Sequence, residues 1–165
     1  QRQMCKETGL IKIYEVLDEK PQVGNSKNAG KYPITGEVEF YSVDFGYKSY
    51  EPVLRDIDLK INPGEMIGLV GHSGAGKSTM INLVMRLYDV DGGTLKIDGR
   101  DIRDYDQYYL RENIGVVFQE TYLFSGTIYD NISYAKSDAS PEEVFAAAKA
   151  ANAHGFIMEL KDGYN

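Results

Sequence analysis

At 165 residues, 42% apolar and 26% charged, the chain is long enough for one buried core and has the composition of an ordinary globular protein. Its formal charge of −7 argues against a nucleic-acid surface, which wants a basic stripe, and no apolar run approaches the length of about 18 residues that crosses a bilayer. The lone Cys5 excludes an internal disulfide, and the opening QRQMCKE carries no secretory signal pattern.

In chain order, residues 4–18 place Leu10, Ile13, Tyr14 and Leu17 on one helical stripe, weakened in its first half by Gly9. Residues 21–33 are rich in Pro, Gly, Asn, Ser and Lys without periodicity and read as a linker, so the domain proper is expected over 34–165. GEVEFYSVDFGY alternates Val38 and Phe40, then, after a shift, Val43 and Phe45; PVLRDIDLKI likewise alternates Leu54 with Ile57, Leu59 and Ile61. Both predict half-buried strands. Met66–Val70 and IGVVF (114–118) are apolar runs suited to buried strands, and KSTMINLVMRLY has helical spacing through Met80, Leu83, Val84 and Leu87. DGG and DG turns bracket the short strand TLKI, and RDYDQYYLREN is a polar, helix-compatible stretch. SPEEVFAAAKAAN carries a helix start with Ser140 as N-cap, Pro141 in the first turn and Glu143 closing a capping box, and AHGFIMELKDGYN adds a short helix.

Residues 71–79, GHSGAGKST, fit G-x-x-x-x-G-K-S/T through Gly71, Gly76, Lys77 and Ser78. Glycines in such a loop, which also holds Ser73, Gly74 and Ala75, let successive backbone N–H groups turn toward one anion. The predicted order of strand, loop and helix adds the positive end of a helix dipole, with Lys77 as a mobile charge and the Ser78 hydroxyl available to Mg²⁺. The overall negative charge does not oppose this, because salt screens charges beyond about 8 Å while the loop acts at contact distance. The loop is a phosphate cradle. Neither His72 nor His154 has a metal-ligand partner at useful spacing.

The ordered set of motifs resembles the nucleotide-binding domain of ABC transporters of the exporter type, over nearly the whole chain. TGLIKIYEVLDEKP (8–21) is similar to the end of a last transmembrane helix and its connector, which is expected over residues 1–20, GHSGAGKST to the Walker A loop, and IGVVFQETYLFSGTIYDNI to the Q-loop and the segment after it. The resemblance implies an α/β fold with a P-loop NTPase core, an antiparallel β subdomain and part of a helical subdomain, truncated. It implies ATP and Mg²⁺ as ligands. Tyr47 falls where an aromatic ring stacks on adenine, with Val53 beside the base; Lys77 would hold the β- and γ-phosphates, Ser78 Mg²⁺, and Thr79 the α-phosphate. Gln119 matches the glutamine that meets the metal and the attacking water, and the segment from Gln119 to about Ala135 would receive a coupling helix. Implied partners are a transmembrane domain of the same polypeptide and a second nucleotide-binding domain, at the cytoplasmic face of a membrane, with no nucleic acid.

The resemblance also implies an LSGGQ signature loop, a Walker B strand and a switch histidine, none of which occurs before KDGYN. Asp98 and Glu120 are the nearest candidates for a carboxylate at a strand end, and both are expected to be structural. The expectation is therefore an ATPase parent and a chain that binds nucleotide without hydrolysing it alone. The alternative is a stand-alone P-loop module that senses nucleotide. A GTPase is disfavoured by the lack of N-K-x-D, and a DNA-repair ATPase by the acidic charge.

Overall fold

The shifted alternation after Gly36 forms one bulged strand, β1 (Val38–Phe45), at the centre of a four-stranded sheet. The computed structural model describes residues 12, 14, 17–19, 21–48, 50–118 and 122–165, in two compact units, Gln1–Gly115 and Val116–Asn165. In the first unit, β1 pairs antiparallel with β2 (Leu54–Ile61) on one side and β3 (Gly92–Ile97) on the other, and β4 (Arg100–Asp101) pairs with β3. Register with β2 slips between Phe40 and Val43 and again before Phe45. Ser42 takes a left-handed φ of 44° at the first slip. The bulge keeps Phe40, Val43 and Phe45 all in the core, which strict alternation would not allow. They pack with Leu54, Leu95 and Ile97, and with Leu83 from α1 (Lys77–Val84).

The predicted helix after the loop is shorter than its apolar spacing suggested. It ends at Val84, and Arg86 turns into a left-handed conformation at φ 50° while Leu87 N–H bonds back to Asn82 O at 3.0 Å. This is a Schellman-type stop with arginine where glycine is usual. Leu87 thus lies beyond the helix and is exposed. Met66–Val70 and residues 114–118 run without strand pairing among the described residues, with Met66 96%, Val70 98% and Val117 92% exposed. Buried strands of a parallel sheet need hydrogen-bonded neighbours on both sides, and no described residue supplies one here.

Residues 21–33, too polar for a core, are nonetheless tied down. Gly30 bridges Tyr105, Asn25 donates to Asp106 at 2.6 Å and accepts from Gln107 N–H, and Arg86 donates to Gly24 O at 3.0 Å. Of the predicted first helix only Lys12, Tyr14, Leu17 and Asp18 are described, all exposed and the first three helical; Leu10 and Ile13 lie outside the described residues. No described helix is long and apolar enough to cross a membrane.

The DG turn joins β3 to β4, with Asp98 and Gly99 both at positive φ (50° and 75°), as a two-residue type I′ connection requires. The Asp98 carboxylate accepts from Thr35 N–H at 2.7 Å, the Thr35 hydroxyl and Glu37 N–H at 3.0 Å, and so fastens the start of β1. Burial alone pushes this carboxyl up, but its bonds from Thr35, Glu37 and Gly36 together outweigh burial and hold it below the ordinary value. Its stabilisation is present in full above the unfolded value of about 4 and fades as pH falls through the lower folded value. Asp98→Asn is expected to lower stability by about 1 kcal/mol at pH 7, and the gap should narrow toward pH 3 in urea titrations. A gap that stays constant between the two pH values contradicts this.

Two more helices close the first unit: a 3₁₀ turn (Ile102–Asp104) and α2 (Gln107–Glu112), which is capped by the Asp106 carboxylate on Tyr109 N–H. The second unit holds α3 (Ile128–Ile132), α4 (Pro141–Ala150) and α5 (His154–Glu159) around Val144, Ala148, Ile157 and Tyr164. The capping box expected at Ser140 and Glu143 is present, and a second, at Thr127 and Asp130, starts α3. His154 is half-buried, its Nδ1 2.7 Å from the Tyr164 hydroxyl.

Candidate functional site

The loop 71–76 runs exposed from Gly71 to Ala75 and dives inward at Gly76. Gly76 caps α1 at φ 85°, and a Cβ there would stand 2.5 Å from Leu54 Cδ2. Conformation and space both require glycine at this position. Gly74, at φ 82°, makes the other left-handed turn of the loop. The first helical bond is Met80 N–H to Gly76 O, so the N–H groups of Lys77, Ser78 and Thr79 have no partner within the helix. No side chain caps this end and no acidic residue sits in its first turn. Such an end is chemically suited to an anion.

Lys77 Nζ curls over the loop and donates to Gly71 O and His72 O, each at 2.8 Å. The ammonium stands at the loop's mouth on neutral carbonyls, which phosphate oxygens would replace with charge-assisted bonds. His72 folds its Nδ1 onto Ser73 O at 2.8 Å, within the loop itself. Ser78 is exposed on the first turn of α1, whereas Thr79 is 5% exposed and directed inward. Among the described residues no three His, Cys, Asp or Glu side chains are grouped to hold a metal. The Ser78 hydroxyl fits a Mg²⁺ that arrives with phosphate ligands of its own, the usual mode for this hard cation.

Tyr47 and Val53 are both brought to this loop. Tyr47 is 47% exposed, packs edge to face with Phe45 and Tyr88 at 5.1 Å each, and places its hydroxyl 3.3 Å from Thr79 Oγ1. Val53 N–H bonds Phe45 O at 2.7 Å, and its Cγ1 lies 3.5 Å from where a Gly76 Cβ would be. Gln119 and Glu120 fall outside the described residues. Asp98, occupied by Thr35 and Glu37, serves the sheet.

Residues 54–162 match the family described as ABC transporter. The chain belongs to the ABC transporter family. Its fold is the P-loop NTPase fold of ABC nucleotide-binding domains, and the antiparallel sheet is that fold's β subdomain. YgaD of Bacillus subtilis (strain 168), which bears the name of a multidrug export ATP-binding/permease protein, is 50% identical over 157 residues, covering 94% of this chain and 27% of its own length. The ATP-dependent lipid A-core flippase of Syntrophus aciditrophicus (strain SB) is 42% identical over 158 residues, covering 95% of this chain and 26% of its own. The solved structure of a bacterial Atm1-family ABC exporter with ATP bound superposes with a TM-score of 0.87 at 38% identity, over 96% of this chain and 28% of that one. The chain thus spans about a quarter of the length of these relatives.

Three residues escaped the sequence reading. Asn82, one turn after Thr79 on α1, donates to the Tyr47 hydroxyl at 3.1 Å. Arg86, 2% exposed, donates to Tyr105 O, Gly24 O and Asp89 at 3.0, 3.0 and 3.2 Å. In the second unit Asn131 accepts from Phe124 N–H and donates to Phe124 O and Thr127 O, pinning the aromatic Phe124 against Tyr134 in a parallel stack at 4.2 Å. The spacing of Asn82 from Thr79 was the available signal for the first; the other two depend on backbone carbonyls that no side-chain pattern announces.

Proposed function

We propose that the chain binds ATP with Mg²⁺ and forms part of the motor of a membrane exporter. The observation that carries this reading is the helix end itself: Gly76 in a left-handed turn, N–H groups from Lys77 to Thr79 without a partner among the described residues, no capping side chain, and the Lys77 ammonium at the mouth. In this reading the loop amides and Lys77 hold the β- and γ-phosphates, Ser78 ligates Mg²⁺, Thr79 donates to the α-phosphate, and Tyr47 offers its exposed face to adenine, with Val53 beside it. Gln119 would meet the metal and the attacking water. ATP hydrolysis and transport are activities of the whole polypeptide, which would add a transmembrane domain, reached through residues 1–33, and act with a second nucleotide-binding domain at the cytoplasmic face of a membrane.

The second unit supports a contact with such a transmembrane domain. An apolar groove of about 320 Å³ is lined by Leu123, Phe124, Ile128, Ile132, Phe156 and Ile157, within and beside the segment expected to receive a coupling helix. The reading of the base site is tested by Tyr47→Ala. A stacked base is worth about 1–3 kcal/mol, so ATP should bind about tenfold more weakly by calorimetry while inorganic tripolyphosphate binds as before. Equal losses for the two ligands would remove Tyr47 from adenine recognition.

A further inference from the structure

The Tyr47 hydroxyl is held from two sides by α1. Asn82 Nδ2 donates to it at 3.1 Å, which occupies the phenol oxygen as acceptor and leaves the phenolic proton for Thr79 Oγ1 at 3.3 Å. Thr79 and Asn82 stand three residues apart on one face of the helix whose N-terminus frames the loop. The ring is flanked edge-on by Phe45 and Tyr88, yet about half of it remains exposed. The three polar groups therefore form a chain running one way, from amide to phenol to hydroxyl. Among the described residues Thr79 Oγ1 makes no bond of its own to an acceptor, so its proton stays available for a phosphate oxygen. Each bond in such a series polarises the next.

We propose that Asn82 and Thr79 are positioning residues that lock the Tyr47 ring for adenine, so that base and α-phosphate are recognised as one unit through a shared hydrogen-bond chain. This rests on the reading of Tyr47 as the adenine platform. It makes the site selective for a phosphate joined to an adenosine, over the base or the polyphosphate separately. A ring lacking either bond keeps its stacking area and loses its fixed plane, and with it part of the preorganisation that favours binding.

The test compares ATP and inorganic tripolyphosphate by calorimetry on the intact polypeptide, in Tyr47→Phe, Asn82→Leu, the double variant and Tyr47→Ala. Tyr47→Phe keeps a half-exposed ring in place, so its fold does not depend on the hydroxyl. Each single change should weaken ATP about three- to tenfold and leave tripolyphosphate within about twofold. The double variant should lose no more than the weaker single, because both break the same chain. If Tyr47→Ala loses ATP affinity while Tyr47→Phe and Asn82→Leu do not, the chain has no role and the stacking platform stands. If Tyr47→Ala leaves ATP unaffected, the platform itself is wrong and the proposal falls with it. Losses that add in the double variant, or that extend equally to tripolyphosphate, also overturn it.

Discussion

Lys77→Ala is expected to remove ATP binding from the calorimetric range. The ammonium contributes charge-assisted bonds to a polyanion, each worth about 1.5–3 kcal/mol, and two of them place the loss at about 3 kcal/mol or more, a hundredfold in affinity. The geometry supports so large an effect. Lys77 directly follows the left-handed turn that Gly74 and Gly76 make, and its Nζ is already gathered at the mouth by Gly71 O and His72 O. No other lysine or arginine in the described loop 71–79 can take over, since the remaining residues there are Gly, His, Ser, Ala and Thr. Lys77→Arg should rescue only part of the loss, because a planar fork cannot reproduce a compact point charge in so tight a loop. The chain's charge of −7 makes the result more telling, as it offers the nucleotide no general attraction. Affinity unchanged in Lys77→Ala would separate the loop from phosphate binding.

The largest loss of stability is expected at Arg86. Its guanidinium is buried and meets Tyr105 O, Gly24 O and the Asp89 carboxylate, which joins the end of α1 to the 21–33 segment and to the turn before α2. From the other side Arg111 donates to Met85 O and Arg86 O, so the carbonyls just past the helix end are also satisfied by a side chain. Arg86→Ala leaves two carbonyls and a carboxylate without their donor and opens a void at a fully packed position. The cost should be about 3–5 kcal/mol, read as a fall in the urea midpoint of the first unit. Arg86→Lys should recover little, since one ammonium cannot reach three acceptors spread around a planar group. A loss below about 1 kcal/mol would show that the bonds of the buried guanidinium do little more than offset its desolvation.

The strands β1 to β3, the capping box at Ser140 and the glycine loop before α1 were legible in the sequence because each depends on near neighbours in the chain. Ser140 and Glu143 are three residues apart, and the DG at 98–99 sets a two-residue turn by itself. Even the bulge in β1 left a trace, as the slip in alternation between Phe40 and Val43. What escaped were bonds between side chains and distant carbonyls. Arg86 reaches back 62 residues to Gly24, and Asn25 meets Asp106 across 81. Local composition made 21–33 a linker, and long-range hydrogen bonds, together with the packing of Tyr32 against the core, fasten it. The runs at 66–70 and 114–118 failed as strands for the opposite reason: apolar content sets what a segment would bury, while pairing depends on neighbours that the segment does not contain. At the candidate site, the loop and Lys77 were proposed from spacing, Tyr47 from a family resemblance, and Asn82 from the coordinates.

The central claim is that backbone amides from Gly74 to Thr79 converge on one polyanion at the mouth of α1. Titrating Mg²⁺–ATP into ¹⁵N-labelled protein and following each amide resonance tests it directly, with Lys77→Ala as the comparison. The account predicts that the Gly74, Gly76, Lys77, Ser78 and Thr79 amides shift together at one affinity, and that this set stays still in the variant. Saturable binding that moves resonances elsewhere and leaves these five unmoved would contradict it.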